Sequence, residues 1–476
     1  MQRSVQMKSI MKHAPTVGME SIGFEGMNRM PPLKRLTERR AQITPDGLNT
    51  WYEYIPEAYD GSVPVPLVVQ LHGGGNDGYR WATFTAWHVL AERNNFIVIY
   101  PNSPCYGRWM CDDADVKYLY DLIELTCATY KIDRSRIYMQ GMSNGDMMTL
   151  AFTLKHPEVL AAAGYITGPS PDEAIDGDMP AGPLPILQMR GELDVNWGLT
   201  PDTPDVFAAR YGMNDLNREI WEPVNGTLNA PPALSIRGKD NFLYYPGENA
   251  PIINWEVTGM GHREPSCGAQ VLWDRLYSGY RRVNGKIVAG TPNTPTTPDS
   301  DVVLIAAGSR FAWCGDHQVA ISELDQACTR VFTPQPAQHF CPVKLGEMAE
   351  TEVMATPVDI LASVYGAHVY SSDAGATAVV TLADGRKVTL HSHAMLYDVD
   401  GKLCELQKPC ILLGGALYIP IGELMQQLYG SHVSIADDVM CISGHYAELG
   451  RYTAQLIRRL LGGVMRPRLK PVWDAD

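Results

Sequence analysis

Short apolar runs recur through the N-terminal half of the chain, at Val65–Leu71, Phe96–Tyr100, Arg136–Met139, Ala161–Ile166, Pro185–Met189 and Ile252–Val257. Helix-length stretches such as Tyr79–Asn94 and Asp115–Tyr130 lie between them. A strand covered by helices on both faces has no solvent side on which to place polar residues, so this alternation predicts βαβ units and a mostly parallel sheet. Ahead of these runs, residues 41–61 alternate around Pro45-Asp46-Gly47, which predicts an antiparallel hairpin. In such a fold, functional groups are expected beyond the carboxyl ends of the strands.

The pattern changes after the amphipathic stretch Gln270–Arg281. Asn284–Asp301 is rich in Pro, Thr, Gly and Asp and is predicted to be a linker. Beyond it come short β-like runs, at Val302–Ala306, Ala378–Leu382, Lys387–His391 and Leu417–Ile419, with only short helical pieces. Pro357–Val369 (PVDILASVYGAHV) is echoed by Pro420–Val433 (PIGELMQQLYGSHV), and a weaker third copy starts at Pro342. Pro-entry helices followed by Gly and a strand predict a small repeated α+β unit. The expected organisation is a lead-in over 1–40, an α/β domain over 41–283, a linker over 284–301, an α+β repeat domain over 302–445, and a C-terminal helix and tail over 446–476.

At 476 residues the chain exceeds what one core organises, which agrees with two domains. A net charge of −14 argues against a nucleic-acid partner, because phosphate binding draws on clustered Lys and Arg. No run reaches the ~18 apolar residues of a membrane helix, so membrane insertion is not expected. The first residues lack the apolar core of a signal peptide, which sets a cytoplasmic expectation with a secreted or cell-surface location as the alternative. The ten cysteines form no C-x-x-C pattern, and free thiols are expected.

Gly141-Met142-Ser143-Asn144-Gly145 matches G-x-S-x-G, a pattern that chance alone places in a chain of this length about 0.2 times. Its setting is more specific. Arg136–Met139 is a strand candidate just upstream and Asp146–Lys155 a helix candidate just downstream, the strand–turn–helix arrangement of a nucleophile elbow. His72-Gly73-Gly74-Gly75 follows another strand candidate, where backbone N–H groups could approach a developing oxyanion. The oxyanion hole is therefore assigned to the N–H of Asn144 with that of Gly74 or Gly75, and His72 is read as structural.

A serine nucleophile needs a base, and His262 lies in the Gly-rich loop GMGHREP after the last strand candidate. The acid should follow the strand between them. Pro185–Met189 is succeeded by Glu192 and Asp194, with Asp194 preferred because it sits deeper in the exit loop. Trp81, Trp87, Tyr106, Trp109 and Trp197 are candidates for a substrate groove, Trp109 and Trp197 above all. The stretch Gly198–Ala250, rich in Pro, Asn and Gly, is expected to form a lid. His391-Ser392-His393 lacks a third ligand nearby, so no metal is assigned.

On LHGGG, YPNS, GMSNGDMM, RGELD and GMGH, the region 42–282 resembles the feruloyl-esterase and polyhydroxybutyrate-depolymerase-like (LpqC-type) esterases of the α/β-hydrolase superfamily. Arg190 stands where His is usual before the acid, and Arg263-Glu264-Pro265 replaces a usual Trp-Pro. The later region, through YIPIGELMQQLYGSHV, resembles the copper amine oxidase N-terminal-like repeat domain, which implies no metal. These resemblances imply an α/β-hydrolase fold and a cofactor-free serine carboxylic-ester hydrolase that works through an acyl-enzyme on aryl or feruloyl esters. A depolymerase of polyhydroxyalkanoates or aromatic polyesters, or an acetyl-xylan esterase on the same triad, is the alternative, as is a non-catalytic protein whose C-terminal module binds polysaccharide or a cell surface.

Overall fold

Seven consecutive residues, Val65–Leu71, are buried without alternation and form strand β3, the centre of a sheet with both faces covered. The computed structural model describes residues 35–45, 47–168, 177–194, 217–228, 231–324, 326–334 and 350–462. They divide into two compact units, one built from residues up to Pro232 with Phe242–Thr296, the other from Ala233–Asn241 with the described residues from Thr297 onward.

The first unit is organised by a mixed sheet. Its strands are β1 (Leu36–Ala41), β2 (Asn49–Tyr54), β3, β4 (Ile97–Pro101), β5 (Ile132–Met142), β6 (Ala162–Ile166) and β7 (Ile186–Gly191), then, after β8 (Ala233–Arg237) of the second unit, β9 (Asp240–Tyr245) and β10 (Ile252–Val257). Within this unit the order is β1-β2-β4-β3-β5-β6-β7-β10-β9. The strands from β4 to β10 run parallel, and the β1–β2 hairpin is added antiparallel at one edge. Helices α1 (Gly78–Phe84), α2 (Trp87–Asn94), α3 (Asp113–Thr129), α4 (Asn144–Lys155) and α5 (Gly268–Arg275) follow strands in the βαβ manner. This is the mostly parallel βαβ arrangement expected from the apolar runs.

Several boundaries differ from expectation. The lead-in yields a strand, because β1 begins at Leu36 and Arg39 forms an ion pair with the nearly buried Glu53 of β2. Tyr79–Asn94 is two helices interrupted at Thr85–Ala86, where Thr85 turns extended and its hydroxyl bonds back to Trp81 O. The linker is partly structured, since β11 (Tyr280–Val283) pairs antiparallel with β12 (Lys286–Ala289). Of the expected lid, residues 198–216 and 229–230 lie outside those described, 217–225 are helical, and β8 and β9 are strands with three consecutive buried residues each, which makes them scaffold.

Among its described residues the second unit contains three antiparallel sheets of its own. One joins β13 (Val302–Ala306), β14 (Phe311–Cys314) and β15 (His317–Ala320) to two strands from the end of the chain; a second includes β16 (Thr329–Pro334) and β17 (Glu350–Pro357). The third is a meander of β18 (His368–Ser372), β19 (Thr377–Thr381), β20 (Lys387–His391), β21 (Leu396–Val399) and β22 (Lys402–Glu405). β23 (Ile411–Leu413) and β24 (Ala416–Ile419) complete the second sheet, and β25 (His432–Ala436) and β26 (Val439–Ser443) the first. The internal echo is structural. β17, α6 (Ile360–Ser363) and β18 repeat as β24, α7 (Ile421–Tyr429) and β25, and Gly366, three residues past α6, and Gly430, the C-cap of α7, have φ near +68° and +67°. The copy at Pro342 lies outside the described residues. α8 (Arg451–Leu461) packs on β13, β14 and β26, so the expected C-terminal helix belongs to this unit.

Candidate active site

The carboxyl ends of β3, β5, β7 and β10 bring together the segments singled out in the sequence. β5 ends at Met142, and Ser143 follows with φ 56° and ψ −118°, a conformation that costs a non-glycine residue on the order of 1–3 kcal/mol. The next residue opens α4. The two motif glycines make this turn possible. A Cβ on Gly141 would lie 2.0 Å from Gly145 O, and one on Gly145 would lie 2.4 Å from Leu71 O. The Ser143 N–H donates to Ile166 O of β6 (2.8 Å), which anchors the strained residue to the neighbouring strand.

β7 and β10 are parallel neighbours, so their exit loops meet. Leu193 N donates to Met260 O (2.8 Å) and Glu192 N to Val257 O (3.1 Å), while a Cβ on Gly191 would strike Met260 O at 2.4 Å. Across this junction His262 Nδ1 lies 3.0 Å from each oxygen of Asp194, and both side chains are buried. Glu192, the alternative acid, accepts the Gly259 N–H (2.8 Å) instead and braces the histidine loop. With Nδ1 donating to the carboxylate, His262 Nε2 keeps its lone pair, and this buried atom has no hydrogen-bond partner among the described residues.

The loop after β3 passes against Ser143. A Cβ on Gly73 would sit 3.5 Å from Ser143 Cβ, and one on Gly74 would sit 3.7 Å from Asn144 Cβ. Asn144 opens α4, so its N–H has no intrahelical acceptor. Gly75 departs from expectation. Its N–H already donates to Gly107 O (2.7 Å).

His72 is fully enclosed. Its Nε2 accepts the Ser103 N–H (3.2 Å), so Nδ1 donates to Gly73 O (2.8 Å), and burial holds the ring below the usual histidine range. Trp109 is also reassigned. It is 1% exposed, its Nε1 donates to His72 O (3.0 Å), and its backbone exchanges two hydrogen bonds with the Asn144 amide (2.7 and 2.9 Å). It is therefore packed inward against the 72–75 loop and Asn144. Trp81 and Trp87 are core, Tyr106 is fully exposed, and Trp197 lies outside the described residues. Cys105 and Cys111 are free thiols. Among the described residues no cluster of His, Cys, Asp and Glu is arranged to hold a metal, and no helix is long and apolar enough to cross a membrane.

Two buried carboxyls were not anticipated in a catalytic setting. Asp146 sits in the first turn of α4; burial raises it to about 6, against the opposing pull of Arg190. Glu264, two residues past His262, accepts from Gln140 Nε2 (2.9 Å), whose Oε1 accepts from Trp87 Nε1 (2.8 Å). Burial pushes this carboxyl up to about 7 from an ordinary 4.5. Ionising Glu264 is thus harder in the folded chain than in the unfolded one. The fold is unpenalised below the unfolded value and loses about 3 kcal/mol as pH rises from there through 7. Glu264→Gln is expected to raise the thermal unfolding midpoint near pH 8 and to change it little near pH 4.5. Equal shifts at both values would refute the assignment.

Residues 52–177 match the family model described as Esterase PHB depolymerase. The chain is 30% identical over 129 residues to feruloyl esterase B of Neurospora crassa, covering 25% of this chain and 43% of that protein. It is 26% identical over 249 residues to a bifunctional acetylxylan esterase/xylanase of Neocallimastix patriciarum, covering 49% of this chain and 34% of that protein. The chain thus spans less than half the length of these relatives. Among solved structures it is similar to an acetyl xylan esterase from Aspergillus awamori (TM-score 0.40, 19% identity, 50% of this chain and 97% of that one). It is also similar to LpqC, a poly(3-hydroxybutyrate) depolymerase from Bordetella parapertussis (TM-score 0.34, 15% identity, 50% and 88%).

Proposed function

We propose that this chain is a serine carboxylic-ester hydrolase, with Ser143 as nucleophile, His262 as base and Asp194 as its orienting acid. The observation that carries the proposal is the His262–Asp194 pair with its unpartnered Nε2, at the same edge of the sheet as a strained serine between two obligatory glycines. The match of residues 52–177 to an esterase family supports it.

In this reading Ser143 Oγ attacks the ester carbonyl carbon while His262 Nε2 takes its proton. Asp194 holds the imidazole through Nδ1 and stabilises the imidazolium. The carbonyl π electrons move onto oxygen, and the N–H groups of Asn144 and Gly74 bind that oxyanion. Collapse expels the alcohol, which receives the proton from His262. Water then repeats the sequence on the acyl-enzyme, releasing the acid and restoring the Ser143 hydroxyl.

Aryl and feruloyl esters are the preferred substrates in this proposal, in keeping with the feruloyl esterases that the chain resembles. The test is a panel of methyl ferulate, acetylated xylan and a hydroxyalkanoate oligomer, run beside a serine-directed phosphonate whose adduct is mapped by mass spectrometry. Fastest turnover on ferulate with the adduct on Ser143 is expected. Faster turnover on the acetyl or hydroxyalkanoate ester moves the substrate class, and inertness to all with no adduct overturns the enzyme. We further assign polysaccharide contact to the second unit, where Tyr370, Val379 and Leu403 stand exposed in one cross-strand row of the meander. Co-sedimentation of the full chain with insoluble xylan, reduced by Tyr370→Ala, would support that assignment.

A further inference from the structure

Beneath the elbow lies an ion pair for which the hydrolysis scheme gives no role. Asp146, three residues past Ser143, is completely buried, and Arg190, the penultimate residue of β7, is 4% exposed. Arg190 Nη1 lies 3.2 Å from Asp146 Oδ2 and donates to Met189 O (2.7 Å), and Nη2 donates to Gly168 O (2.9 Å). The Gly168 N–H closes the ring by donating to the same Asp146 oxygen (2.7 Å). There is no slack: a Cβ on Gly168 would meet Asp146 Cβ at 2.4 Å and Ser143 O at 2.5 Å. The carboxyl ends of β5, β6 and β7 are thereby tied to one another at a single carboxylate.

Building on the hydrolase reading above, we propose that Asp146 and Arg190 are positioning residues. Asp146 fixes the turn that carries Ser143 against the strand that leads to Asp194, and Arg190 cancels its charge beside the oxyanion donors. A buried ion pair is poor evidence of stabilisation in itself, since desolvating two charges offsets their attraction. Here its placement is informative. The N-terminal turn of α4 must receive negative charge on the oxyanion, and an uncompensated carboxylate in that turn would oppose it. Arg190 lets Asp146 keep its three-strand contact without that opposition.

The test compares Asp146→Asn, Arg190→Gln and the double variant in the full-length chain. Unfolding midpoints and phosphonate labelling of Ser143 are recorded beside kcat and KM on one aryl ester. Arg190→Gln is expected to lower kcat about 100-fold with KM nearly unchanged, the scale on which small misplacements act. Adding Asp146→Asn removes the stranded charge, so the double variant should regain about a tenth of wild-type kcat. Folded single variants with wild-type kcat would overturn the inference alone. If the single variants do not fold, a folded double variant with wild-type kcat would overturn it equally. A wild-type chain that neither labels nor turns over an ester would overturn the hydrolase reading, and this inference with it.

Discussion

Ser143→Ala is expected to lower kcat by about 10⁵–10⁶ while leaving KM within a few-fold, the scale seen when the nucleophile of a comparable triad is removed. Only the reacting oxygen is lost, because the turn is held by groups that the substitution keeps. The Ser143 N–H remains bonded to Ile166 O, and the Gly141 and Gly145 contacts are backbone. Alanine also inherits the unfavourable φ of 56°, so stability should change little. The measurement is kcat and KM on an aryl ester with phosphonate labelling as a parallel readout. Retention of more than a hundredth of the activity, or labelling at another serine, would place the nucleophile elsewhere.

Neutralising the acid has the next largest effect. Asp194→Asn is expected to reduce kcat about 10⁴-fold, as the equivalent change does in another triad. Asp194 presents both oxygens to Nδ1 at 3.0 Å, so the proton sits there and Nε2 is left as the base. An amide NH₂ facing Nδ1 favours the other tautomer, with the proton on Nε2, where it can take nothing from Ser143. Glu192→Gln is the matched control. Its carboxylate accepts the Gly259 N–H rather than touching the imidazole, so a loss of only a few-fold is expected. A collapse of activity in Glu192→Gln with Asp194→Asn nearly intact would exchange the two roles.

Residues whose chemistry is local were legible early. Ser143 between Gly141 and Gly145, after an apolar run and before a helix, is a pattern of neighbours, and short-range sterics set its conformation. His262 and Asp194 are singled out by their order along the chain and their places after strand candidates, and the parallel pairing of β7 with β10 is what brings their loops within hydrogen-bonding distance. The place of Trp109 is not legible in the sequence, because an indole in a loop has the same signature whether it faces substrate or packs inward. Its bonds to His72 and Asn144 are contacts across 37 and 35 residues of chain. Gly75 was equally ambiguous, since the direction of one N–H depends on where Gly107 lies.

The sequence by itself determined the α/β alternation, the elbow at Ser143 and the repeat of β17-α6-β18 in β24-α7-β25, because each rests on apolar period, turn chemistry or glycine sterics within one short segment. Only the tertiary structure decided that Asp194 rather than Glu192 meets His262, that the Gly75 N–H turns to Gly107 O, and that Asp146, Gly168 and Arg190 close one buried ring. The physical reason is that charge, burial and hydrogen-bond direction at this site are set by neighbours on other strands, whose proximity exists only once the sheet has formed.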